Sequence, residues 1–109
     1  MFYVYMLRCE DNSVYTGFTT DIKRRFREHL EKSKPYGKYT KAHTPLAIEA
    51  VWSSENKKDA YRLEYHIKRL TKDKKEALIS EPNALAKMLY KKLDCSSFLT
   101  VDIEELSDI

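Results

Sequence analysis

Glycine is nearly absent from this chain: of 109 residues only Gly17 and Gly37 are glycine. There is no internal repeat and no low-complexity segment, which excludes fibrous and linker-like classes. Cysteine is equally sparse, and Cys9 and Cys95 lack the spacing of a metal site or a disulfide framework. Two free thiols in a reducing compartment are the expectation. No apolar run approaches the ~20 residues of a membrane-spanning helix. No basic leader precedes the strand-like start Met1-Phe2-Tyr3-Val4-Tyr5. These absences predict a soluble globular protein that is not secreted and is cytoplasmic, or nuclear in a eukaryotic cell. The length fits a modest core and leaves no room for a separate recognition module.

One absence is local. Residues 94–109 contain the acids Asp94, Asp102, Glu104, Glu105 and Asp108 but no lysine or arginine. All 20 basic residues therefore fall in residues 1–93 against the other 12 acids, so a body of +8 underlies the whole-chain charge of +3. A basic body favours a polyanionic partner through counterion release. The acidic tail either adds solubility or folds back over a basic cleft as a weak competitor of that partner.

Residues 2–9 and 14–18 are rich in aromatic and branched side chains, with the turn-forming Glu10-Asp11-Asn12-Ser13 between them. An antiparallel hairpin follows. Asp21 is placed to cap a helix running from residue 22 to about residue 30, in which Ile22, Phe26 and Leu30 bury one stripe. Residues 33–45 read as a basic loop and residues 46–52 as a third strand. Ser53, Ser54 and Asn56 offer caps for a long second helix with the stripe Ala60, Leu63, Ile67 and Leu70. Thr71 caps a short third helix over residues 72–79. Pro82 opens a fourth to about residue 93, burying Leu85, Met88 and Leu89. Residues 94–109 read as loosely held. Gly17 falls where the second strand ends, and a backbone requirement suffices to explain it. Cys9, Trp52, His43 and His66 need no role beyond structure. The fold class is mixed α/β, a three-stranded antiparallel sheet flanked by helices with an extra C-terminal helix.

Several side chains converge on one chemistry. Arg25 and His29 lie one turn apart and project from one face of the first helix, beside its buried stripe, while Arg24 and Arg27 point elsewhere. Glu64 stands one position past Leu63 at the edge of the second helix. Singly each is ordinary, since strand tyrosines usually pack and Glu64 with Lys68 makes a common i,i+4 pair. Jointly the pattern is improbable by chance. Tyr3-Val4-Tyr5-Met6-Leu7-Arg8-Cys9 is followed by Val14-Tyr15-Thr16-Gly17, an arginine ten positions after the second tyrosine, a histidine four further on, and a glutamate on a later helix. This arrangement resembles the GIY-YIG nucleases. Lys38-Tyr39-Thr40-Lys41 and Ile67-Lys68-Arg69-Leu70-Thr71-Lys72 resemble that family's small, single-domain, UPF0213-like branch. Tyr3 stands at the family's first glycine and Thr16 at its isoleucine, changes that spare the chemical groups. The asparagine that many members place after the glutamate has no clear counterpart.

The resemblance implies a GIY-YIG domain over residues 1–80, with a helix and acidic tail over 81–109. It implies an endonuclease that hydrolyses DNA to a 5′-phosphate and a 3′-hydroxyl, with RNA not distinguished. Glu64 maps on the metal ligand for Mg²⁺ or Mn²⁺, Arg25 on the family arginine, and His29 on a histidine of many members. Tyr5 maps on the water-activating group and Tyr15 on its positioning partner. The chemistry agrees: a hard cation commonly takes only one or two carboxylates, and a guanidinium stays charged and grips phosphate with two parallel bonds. A tyrosine, with a pKa of about 10, accepts a proton at neutral pH only if cations depress that value. His29 is the easier base on charge alone, which leaves the base open. Lys38, Tyr39, Lys41, Lys68, Lys72 and Lys75 are candidates to guide a strand toward the site. With no module to read bases, cutting is expected to be structure-selective or nonspecific, by a monomer or weak dimer. One rival is a binding module of negligible turnover, which has no need of a carboxylate that repels phosphate. The other is an adaptor docking on a larger protein through Leu85, Met88 and Leu89.

Overall fold

The computed structural model describes residues 1–31 and 45–106, giving the backbone alone for 29–31 and 105–106. Aromatic and branched residues extend β1 (Phe2–Cys9) and β2 (Val14–Thr19) into the expected hairpin. Its turn is closed by the Cys9 amide donating to Ser13 O at 3.0 Å and the Asn12 amide donating to Cys9 O at 2.9 Å. Asn12 takes φ 67°, a left-handed conformation that asparagine tolerates. The register sets Tyr5 opposite Gly17 and Leu7 opposite Tyr15. β3 (Pro45–Ser54) pairs antiparallel with the other side of β1.

A fourth strand exists where three were expected. β4 (Leu99–Thr100) pairs with Trp52 and Ser53 of β3, giving the order β2-β1-β3-β4. Two residues carry no alternation that a sequence pattern can register. Over residues 94–104 the tail is consequently not loose. Asp94 accepts from the Ser96 amide at 3.0 Å, the Val101 amide donates to Val51 O at 2.9 Å, and Val101 and Ile103 pack into the core. This part of the tail runs along the sheet edge opposite β2, so the described acids do not fold back over a cleft there.

The sheet is covered on both faces. On one, Val4, Met6 and Trp52 bury against Ala60, Leu63 and Ile67 of α2 (Lys57–Lys68) and Leu78 of α3 (Lys72–Ser80). On the other, Tyr5, Leu7 and Val51 pack with Ile22 and Phe26 of α1 (Ile22–Glu31). Ile48 and Val51 share that second face although they are three apart. The register irregularity at Met6/Leu7 accounts for it by shifting the alternation by one. The helix starts are those the sequence predicts: Asp21, Asn56 and Thr71 accept from the amides of Arg24, Asp59 and Lys74 at 3.1, 3.0 and 3.3 Å.

The fourth helix is shorter than expected. Pro82–Ala84 forms a 3-10 turn, fixed by Trp52 Nε1 donating to Pro82 O at 3.1 Å, and α4 covers only Leu85–Leu89. Leu85, Leu89 and Leu93 are buried in the core that holds α2. They face inward with Met88 half-buried beside them, so Leu85 and Leu89 are taken up by the core and do not offer the docking face read from the sequence. Neither Cys9 nor Cys95 forms a disulfide. Among the described residues no helix is long and apolar enough to cross a membrane.

Arg8 ties these elements together. Its guanidinium donates to both Glu76 oxygens at 2.6 and 2.5 Å, to Glu49 at 3.3 and 3.4 Å, and to Asn12. The forked bond from Arg8 holds the Glu76 carboxyl down at about 2, with Lys72 adding to it.

Candidate active site at the β2 edge

β2 is an edge strand, so side chains from the two faces of the sheet can meet around it. Tyr5 and Tyr15 come from the α1 face, with ring centroids 6.2 Å apart and planes tilted by 48°. Glu64 comes from α2 on the other face, its side chain 19% exposed. Gly17 lies inside β2 rather than at its end. A β-carbon there would stand 2.5 Å from Tyr5 Cζ and 3.0 Å from Tyr15 Cε2. Space for the Tyr5 ring therefore explains this glycine, which corrects the backbone explanation read from the sequence. Thr16, at the isoleucine position of the motif, is buried with a hydroxyl that has no hydrogen-bond partner.

Tyr5 is only 1% exposed. Burial pushes its hydroxyl far above the ordinary tyrosine pKa. Tyr15 adds to that rise, Arg25 opposes it, and Glu64 and Glu28 raise it further. Tyr15 is half-buried and also raised, by burial first; Lys68 opposes this, Glu64 adds to it, and Arg25 and a hydrogen bond with Tyr5 oppose it. Once Tyr15 is charged its oxygen can only accept, so in that state the bond runs from the Tyr5 hydroxyl to Tyr15. These influences set both tyrosines, Arg25 and Glu64 in one electrostatic neighbourhood, with Glu28 beside Tyr5. Glu28 escaped the sequence argument, although its position three after Arg25 was the available signal.

Arg25 Nε is buried and has no hydrogen-bond partner, with Glu28 Oε1 at 3.7 Å. Arg24, by contrast, is 60% exposed and among the described residues pairs with Asp21 at 4.0 Å. His29 follows Arg25 by one turn of α1, and its side chain lies outside the described residues. Glu64 Oε2 pairs with Lys68 Nζ at 3.2 Å. Among the described residues no group of three or more His, Cys, Asp or Glu is arranged to hold a metal. The acceptors near Tyr5 are carboxylate and hydroxyl oxygens. That donor set fits a hard cation that keeps most of its waters.

Of the six candidate guiding residues, Lys38, Tyr39 and Lys41 lie outside the described residues. Lys72 pairs with Glu76 at 3.1 Å and donates to the Asn12 carbonyl, so it serves the Arg8 cluster. Lys75 is half-buried, and burial lowers its pKa with help from Lys72 and Lys68, which places the three on one surface.

A two-tyrosine hairpin with an arginine helix on one face and a glutamate helix on the other defines a class. The family model described as the GIY-YIG catalytic domain matches residues 1–77, and the chain belongs to the GIY-YIG family. That domain implies a nuclease-type function on nucleic acid. Within the family the chain is similar to UPF0213 proteins. It is 45% identical to one from Fusobacterium nucleatum, over 79% of this chain and 84% of that one. It is 45% identical to one from Halalkalibacterium halodurans, over 72% and 81% of the two chains. The UPF0213 protein YazA of Bacillus subtilis is 34% identical, over 83% and 89%. The solution NMR structure of a UPF0213 protein from Bacillus halodurans aligns with a TM-score of 0.48 at 38% identity, covering 82% of this chain and 97% of that one.

Proposed function

We propose that this protein is a metal-dependent endonuclease hydrolysing DNA phosphodiester bonds, structure-selective or nonspecific. The observation that carries the reading is the buried Arg25 Nε, which makes no hydrogen bond and meets Glu28 only at ion-pair distance, in the neighbourhood of two tyrosines and Glu64. A buried donor left unpaired costs roughly 1–3 kcal/mol, and a phosphate oxygen would satisfy it. Glu64 is the residue to hold Mg²⁺ or Mn²⁺, which when bound neutralises charge on the phosphate.

The tyrosine roles are proposed in the reverse of the order implied by family resemblance. Burial at Tyr5 favours a permanently protonated hydroxyl that donates to Tyr15 and orients it. Tyr15 is more open, and although burial and Glu64 raise its pKa, Lys68, Arg25 and the bond with Tyr5 oppose that rise, so of the two tyrosines Tyr15 is the nearer to taking a proton from water once a cation is bound. His29 remains a candidate acid for the leaving oxygen.

One observation favours a second reading. Lys68 already neutralises Glu64, so a phosphate can be bound there without metal and without turnover. Incubating the protein with branched, single-stranded and duplex DNA in Mg²⁺, Mn²⁺ or EDTA separates the two. Metal-dependent cutting that Glu64→Gln abolishes supports the endonuclease. Metal-independent binding with no cutting of any substrate supports the binding module.

A further inference from the structure

The outward face of α2 takes no part in the site just described. Turning about the helix from its buried stripe, Glu64 and Lys68 come first. Beyond them, at four-residue steps, runs a row of Lys57, Tyr61, Tyr65 and the capping Arg69. Lys58, Arg62 and His66 form a second row beside it. Tyr61 and Tyr65 are 47% and 55% exposed. The Tyr61 ring stacks on Phe18 of β2 with centroids 4.3 Å apart and planes at 14°, and the Arg69 guanidinium lies 5.4 Å from the Tyr65 ring centre. A shallow groove of about 610 Å³ runs along both rows and continues past Tyr65 and His66 into one of about 390 Å³ that reaches Lys74 and Lys92. Among the described residues no carboxylate lines either groove. His66 reflects this crowding: burial, then Lys92, Arg62 and Arg69, hold its pKa below the ordinary histidine value.

We propose that this face is a docking platform for an unpaired nucleic-acid strand, with Tyr61 and Tyr65 stacking bases and Lys58, Arg62 and Arg69 holding phosphates. Unbroken positive charge selects a polyanion, and exposed flat rings select one with unstacked bases. The spacing selects a single strand. Residues four apart on a helix are separated by ~6 Å along its axis, whereas successive nucleotides of a duplex strand rise only ~3.4 Å. Tyr61 is held in place by Phe18, so little freedom is lost when a base stacks on it. Glu64 lies between this platform and the buried stripe, and a strand on the tyrosine row passes beside it. In supplying strand to Glu64 the platform rests on the nuclease reading, although its binding is measurable without cleavage.

Fluorescence anisotropy of a labelled 12-nucleotide oligo-dT and of a 12-base-pair duplex, in EDTA at low salt, tests the platform on the full chain. Tyr65→Ala, at an exposed position, should weaken oligo-dT binding by about tenfold and leave the duplex nearly unaffected. Lys58→Ser with Arg62→Ser should reduce the salt slope on oligo-dT by about 1.4, the value for two lost phosphate contacts. Both variants should hydrolyse bis(p-nitrophenyl) phosphate, too small to span the rows, at the wild-type rate in Mn²⁺. Unchanged oligo-dT affinity in Tyr65→Ala overturns the platform, as do equal losses on duplex or on heparin. Absence of hydrolysis by the wild-type protein counts instead against the nuclease reading and leaves the binding comparison intact.

Discussion

Tyr5 and Gly17 act as one unit, because the ring occupies the space where any larger residue opposite it would place a β-carbon. Gly17→Ala should displace the Tyr5 ring, costing about 1–3 kcal/mol of stability as an overpacked core position and most of the cleavage activity. Chemical denaturation beside a cleavage assay reads both. The two hydroxyls are separable by deletion without cavities. Tyr15→Phe should slow cleavage by about 10²-fold or more, the scale of a lost general base, while Tyr5→Phe should slow it less. Single-turnover rates decide this, and a larger loss at Tyr5 would restore the original order. At this scale the sequence pointed to residues that lie in one electrostatic neighbourhood but not to what each touches. Spacing and family resemblance singled out Tyr5, Tyr15, Arg25 and Glu64, yet the contact between Gly17 and Tyr5 runs between strands, and burial of Tyr5 depends on Ile22, Phe26, Ile48 and Val51, which no local pattern ties to it.

Elements were legible wherever their signals are local. Asn56 and Thr71 cap α2 and α3 as read, since a cap acts three residues away. Arg8 was invisible as a clamp because its partners Glu49 and Glu76 are 41 and 68 positions distant. β4 and the shortened α4 are likewise set by contacts with β3 and Trp52. The Arg8 clamp predicts an acid dependence. Glu76 titrates near 2 in the folded chain against an ordinary 4.5, so its contribution is complete above about pH 4.5 and is lost as pH falls toward 2. Replacing it by Glu76→Gln should lower stability at neutral pH and flatten the decline in that window. Thermal melts across the acid range check this, and parallel pH profiles for the two proteins would show that the clamp contributes nothing.

At the scale of the whole molecule, β2 at one edge of the sheet borders the candidate site and β4 at the other edge carries the tail. Truncation after Leu93 removes β4 and the packing of Val101 and Ile103, so it should lower stability by about 2 kcal/mol, as two half-buried aliphatic side chains warrant. Neutralising the exposed acids by Asp102→Asn and Glu104→Gln should leave stability and low-salt DNA affinity unchanged. Tighter binding by the neutralised protein would revive a tail that competes with DNA. The charge division was visible in composition, but its placement was not, because the tail's course is fixed by pairing with β3 and by the packing of Val101 and Ile103, contacts with residues some fifty positions or more away.

The most direct test is the rate of DNA cleavage under single-turnover conditions in saturating Mg²⁺ or Mn²⁺, for wild type, Glu64→Gln and Arg25→Lys, with DNA affinity measured on the same samples. The account predicts that wild type cuts only with metal. Glu64→Gln should lose cutting while keeping most of its affinity, and Arg25→Lys should slow by about 10²-fold, because a point charge does not replace the planar fork at a phosphate of changing charge. Equal cutting by wild type and Glu64→Gln, or no cutting of any substrate by wild type, would contradict it.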